Sequence, residues 1–174
     1  VTAAGDQRGR DRPQVGGVSN TLISGAISNG SSASPLQKNG TGTLTLGGAN
    51  TYSGITTISN GTLQVGNAGT SGTLGTGAVT NNALLAFNRT DTVTVANNIT
   101  GTGIINHLGS GTTNLTGADT AAGGTNVTVG RLNVNNTLTS NVIVTSPGIL
   151  GGTGTITGNV SGNGTVAPGL SPGV

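Results

Sequence analysis

The sequence predicts an all-β chain wound as a parallel solenoid of about 7 coils, and three observations carry that expectation. First, "GTGTLTLGGANTYSGITTISNGTLQV" at residues 40–65 and "GSGTTNLTGADTAAGGTNVTVGRLNV" at residues 109–134 agree at 12 of 26 positions without a gap, Gly40 falling on Gly109. Second, Val, Ile and Leu fall in short alternating runs, the period of a strand with one buried face. Third, helix formers are scarce: there is no glutamate or methionine, and no 11-residue window carries an apolar stripe of helical spacing.

The expected strands are residues 44–46, 55–58, 63–65, 84–87, 93–95, 127–129, 132–134 and 142–144. Corners rich in Gly and Asn separate them, among them Asn60-Gly61 and Gly123-Gly124, where positive φ is cheap. Asn-Gly between apolar runs is also a hairpin signal, so an antiparallel sandwich is the rival. Loops of a sandwich vary freely, whereas a coil returning onto itself must keep its circumference, and the gapless repeat favours the coil. A third of the offset between the two copies is about 23 per turn, enough for three strands and three corners. At about 4.8 Å between strands the rod is roughly 36 Å long. On this reading Leu46 and Leu115 share one wall. Lys38 and His107, which the same offset superposes, share one edge at about 14 Å.

Charge is nearly absent. Six basic and four acidic residues give +2, too sparse to track a phosphate backbone despite a pI near 10, so no nucleic-acid partner is expected. Arg8, Arg10 and Arg12 sit with Asp6 and Asp11, and residues 1–20 are read as a flexible or capping segment before a β-helix at 21–174. No run of 18 apolar residues exists, which argues against direct membrane insertion. The first residues show no signal-peptide pattern, so such a leader is expected to have been removed or to lie outside this sequence. There is no cysteine, hence no disulfide.

"NGTGTLTLGGANTYSGITTISNGTLQVG", residues 39–66, resembles the passenger-associated transport repeat of bacterial autotransporters, and the stretch 109–134 is similar to a degenerate second copy. The glycine-rich "GILGGTGTITGNVSGNGTVAPGLSPG" at 148–173 resembles the region towards the end of such passengers. The resemblance implies a right-handed parallel β-helix, exported through the periplasm and carried over the outer membrane by a C-terminal translocator barrel that these residues do not include.

No catalytic, cofactor or metal residue is assigned. Polysaccharide-cleaving β-helices need several clustered carboxylates, and beyond the N-terminal segment this chain has only Asp91 and Asp119. Asp119 aligns with Asn50 of the other repeat and reads as a corner residue. His107, the single histidine, reads as an exposed corner residue, and the lone Tyr52 and Phe87 as packing. Lys38, Arg89, His107 and Arg131 remain as candidate partner-binding side chains on a plain Thr/Asn surface. The expected function is a secreted or surface-displayed passenger, without enzymatic activity, that binds a host-cell surface protein or matrix component. The alternatives are a stalk that drives export and displays another domain, and, third, a polysaccharide-degrading enzyme.

Overall fold

The computed structural model describes residues 14–169, and among these there are strands and no helix. Every named strand pair is parallel, and the sheets stack into a β-solenoid of about 8 turns with three faces. The first face runs from Gln14–Val15 through Leu36–Lys38, Thr56–Ile58 and Val79–Asn81 to Ile99–Thr100, and continues by bridges at Asp119 to Thr137–Leu138 and Thr155–Ile156. The second face is an unbroken eight-stranded sheet from Thr21–Ile23 to Val160–Gly162. The third face becomes a regular sheet only at Thr92–Val95, which is the edge strand of five. Seven steps of about 4.8 Å along the second face span roughly 34 Å.

The alternation read in the sequence is the reason for this architecture. Each strand turns every other side chain inward, onto the residue of the same rank one turn below. On the second face one inward row is Leu44, Leu63, Leu85 and Ile105, and the neighbouring one is Leu46, Val65, Phe87, His107, Val127 and Val144. Tyr52 and Phe87 are fully buried in this core, the Tyr52 hydroxyl sharing a 2.8 Å hydrogen bond with Thr56 Oγ1. Outward rows are rich in threonine and asparagine, interrupted on the second face by the exposed Leu22, Ile104 and Ile143. Thr57, Thr80 and Thr100 are in register on the first face. Thr120, Thr139 and Thr157 continue the column, each backbone N–H donating to the turn beneath.

The coil is not of constant length. Successive partners on the first face are Gln14, Gln37, Thr57, Thr80 and Thr100, so longer and shorter turns alternate. Hydrogen-bonded neighbours on adjacent turns are 23 apart in sequence at Ile27 and Asn50, 20 at Asn106 and Asn126, 19 at Asn114 and Asn133, and 18 at Asn141 and Asn159. The turn that sets Val166 on Leu150 is shorter still. Strands hold register while corners absorb the difference. The largest excursion follows Val65, where the ladder breaks before Gly69 pairs with Arg89, and Gly66, Ala68 and Gly72 take positive φ.

The offset between the two repeat copies therefore does not mark one wall. Leu46 stacks on Val65, Phe87 and His107 of the second face, whereas Leu115 lies on the third. The second copy is turned by one face relative to the first: Thr43–Leu46 and Thr62–Gly69 occupy the second face, their counterparts Thr112–Leu115 and Arg131–Val134 the third. What the copies share is the local step. Leu44 pairs with Leu63 across the same length of chain as Thr113 with Leu132, and Gln37 with Thr57 across the same length as Asn106 with Asn126. Gly61 and Gly130, equivalent in the repeat, have φ of 65° and 66°. A Cβ on Gly61 would meet the Gly40 and Gly42 carbonyl oxygens at 2.5 Å, and one on Gly130 would crowd the Gly109 and Gly111 oxygens in the same way. Glycine is demanded there by both conformation and contact.

Two further expectations are corrected. The strand expected at 127–129 is Thr125–Val127, because Thr125 pairs inward with Ser140 while Thr128 turns out at the corner. Several short strands, including Val79–Asn81 and Ile104–His107, add to those the sequence marks, since three or four residues carry little periodicity. Of the expected N-terminal segment, residues 1–13 lie outside the described residues, and Gln14–Val15 pairs in parallel with Leu36–Lys38.

Candidate functional site: a seam on the third face

Where the third face begins, the ladder between turns fails. Thr112 N–H donates to Asp91 C=O and Thr116 N–H to Val95 C=O, so one side of Thr92–Val95 is bound to the following turn. By the alternation of a parallel ladder the N–H groups of Thr92, Thr94 and Ala96 point the other way, towards residues 73–76. No backbone hydrogen bond crosses to them there among the described residues. Thr73 and Thr76 instead donate backwards, to Gly48 and Tyr52.

Side chains replace the missing ladder at both ends. Arg89 donates through Nη1 to Gly72 C=O and through Nη2 to Thr70 C=O, while Nε and Nη2 grip the two oxygens of Asp91 at 2.8 and 2.7 Å. At the other end Asn97 Nδ2 donates to Gly75 C=O at 2.7 Å and Gly77 C=O at 2.6 Å. Between the two clamps lies an open cleft of about 290 Å³. Its floor is Val65, Leu74, Val93 and Val95, and its rim is Thr73, Thr76, Thr94 and Asn97. Asn50 closes the rear, with Nδ2 on Thr73 C=O and Oδ1 accepting from Ile27 N–H, and so ties three turns together. The irregular stretch that makes this cleft has no alternating apolar pattern, so sequence reasoning missed it.

The four candidate partner-binding residues do not gather. Lys38 is on the first face and His107 on the second, and both point inward; neither is the exposed edge residue expected. The Lys38 ammonium donates to the carbonyls of Gly40 and Asn60, the latter at 3.1 Å, and burial lowers its pKa. His107 lies in the stack between Phe87 and Val127 with neither ring nitrogen hydrogen-bonded, and burial lowers its pKa despite an opposing pull from the Gly111 backbone. Arg89 is 8% exposed and its donors are taken by the clamp. Only Arg131, half-buried on the third face, faces outward, with Nε on Asn133 Oδ1 at 2.7 Å and the guanidinium lying over Gly151.

Asp119 is likewise not a corner. It bridges Ile99 and Leu138 inside the first face, 1% exposed. Oδ1 accepts from Ala121 N–H at 2.9 Å and Oδ2 has no partner. Burial raises its pKa to about 6, against the lowering by the Ala121 bond.

Residues 36–65 and 108–134 match the passenger-associated-transport-repeat family. Over 84 residues, 48% of this chain, the sequence is 42% identical to a protein of Brucella suis biovar 1 (strain 1330) named as the adhesin BmaC autotransporter. The match covers 2% of that relative's own length. No solved structure matches the chain. With two matched repeats set on one parallel solenoid and that likeness beside them, the chain carries passenger-associated transport repeats and is similar to passenger-domain sequence of the autotransporter type.

Proposed function

We propose that this chain is an adhesive stretch of a passenger held at the bacterial surface or released from it, and that it binds a host-cell surface protein or matrix component without doing chemistry. The observation that carries the reading is the 42% identity over 84 residues to a protein named as an adhesin. The geometry supports it by offering long lateral faces. The first carries the threonine column, and the second and third carry asparagine pairs, Asn126 on Asn106 at 2.9 Å and Asn133 on Asn114 at 2.8 Å. Arg131 is the cation available to a partner on those faces. In the whole protein a C-terminal translocator barrel would carry the passenger out.

The inward turn of Lys38, Arg89 and His107 favours a second reading, a stalk that drives export and displays another domain, because it leaves the surface plain. Binding of the purified chain to host-cell monolayers and to immobilised matrix proteins separates the two. An adhesive passenger binds saturably and loses binding when Thr100 and Thr120 become glutamate or Arg131→Ala is made, with its circular dichroism unchanged. A stalk binds neither surface. A screen on polysaccharides tests the enzymatic alternative.

A further inference from the structure

We infer that the seam on the third face is a strand-accepting site, and that its ligand is an extended peptide laid along the edge of Thr92–Val95. The inference deepens the lateral binding proposed above, on which the biological partner rests, but the site itself is argued from backbone geometry.

Three features coincide. The strand Thr92–Val95 is the terminal member of its sheet, and its outward-pointing N–H groups at Thr92, Thr94 and Ala96 have no backbone partner among the described residues. An unpaired edge of this kind pairs with another extended chain, whose main chain gives affinity and whose alternate side chains give selectivity. The cleft beside it holds about 290 Å³, and its floor of Val65, Leu74, Val93 and Val95 accepts small branched side chains. Finally, Arg89 and Asn97 bridge the turns at the two ends and fix the gap between them, so the slot exists before a ligand arrives. From Thr92 to Ala96, at about 3.3 Å per step, the edge is on the order of 13 Å long, the length of a short strand. The rim is uncharged, so the ligand is a neutral segment rich in Thr, Val or Ser.

The test uses the purified chain and one probe, a fluorescein-labelled peptide Lys-Gly-Thr-Val-Thr-Val-Thr-Gly-Lys. Saturable anisotropy change is expected, with hydrogen exchange of the Thr92, Thr94 and Ala96 amides slowed at least tenfold at saturation. Thr94→Pro removes an outward N–H while leaving the bonds to the following turn intact, so it should weaken binding more than tenfold with an unchanged circular dichroism spectrum. The same peptide N-methylated at alternate residues should fail on the unaltered chain, which keeps the test open if the proline variant misfolds. Equal binding of the N-methylated peptide, or no protection of those amides, overturns the site. Loss of cell adhesion with peptide binding intact would instead count against the lateral-face reading alone.

Discussion

Arg89 holds Asp91 by two charge-assisted hydrogen bonds, at 2.8 and 2.7 Å, and with the rest of the same guanidinium closes the gap between two turns. Replacing it by methionine keeps the stem but orphans the Thr70 and Gly72 carbonyls. Arg89→Met should cost about 2 kcal/mol, read as a lower urea midpoint at constant slope. The Asp91 carboxyl is held below its usual range, first by the Arg89 hydrogen bonds. Its share of stability is present above the unfolded value near 4 and is lost as pH falls through the lowered folded value.

Arg131→Ala makes the contrast. This side chain is half-buried and hangs over Gly151 on the outside of the prism. The change should move stability by under about 0.5 kcal/mol, so any loss of adhesion in that variant reports on contact and not on folding.

Gly61 and Gly130 stand at the same point of the two repeats with the same left-handed φ, each against carbonyl oxygens one turn below. Alanine at either should destabilise by at least about 2 kcal/mol, through strain and through separation of the turns. Equal losses from Gly61→Ala and Gly130→Ala in thermal unfolding would show that the repeat works the same way on either face.

Asp119 and His107 give opposite dependences on pH. Asp119 titrates at about 6 when folded and near 4 when unfolded, so the folded chain keeps a proton in that window that the unfolded chain has released. Its contribution is greatest below about pH 4 and declines as pH rises to 6, by on the order of 3 kcal/mol. Asp119→Asn should remove that decline and stabilise the chain at pH 7. His107 has a folded pKa below its unfolded value near 6.5, so its contribution is present above that value and is lost as pH falls below it. His107→Leu fills the stack without unpaired nitrogens and should abolish the acid-side loss. Urea titrations from pH 4 to 8, followed by far-ultraviolet circular dichroism because the chain has no tryptophan, check both.

The parallel coil was legible because alternation and corner glycines are local signals. The period misled for the same reason: it records the step between neighbouring turns, 19 at Asn114 and Asn133 and 20 at Asn106 and Asn126, while corners of other lengths intervene and rotate the second copy by one face. The inward Lys38 and His107 were in the pattern too. Leu36-Gln37-Lys38 and Ile105-Asn106-His107 alternate, and the apolar first member fixes the third on the same side. Charged and titratable side chains are ordinarily outside, and that expectation masks the parity. The seam was illegible, since an unpaired edge is a failure of pairing between turns and leaves no mark in either segment.

The unequal length of the turns bears on which changes the coil tolerates. The turn that carries the chain from Gln14 to Gln37 is several residues longer than the one from Leu150 to Val166. The second face nonetheless runs as one unbroken sheet of eight strands, so the surplus is housed entirely at the corners. A residue inserted or deleted at a corner therefore leaves the stacked rows in place, whereas the same change within a strand would turn every inward side chain after it to the outside.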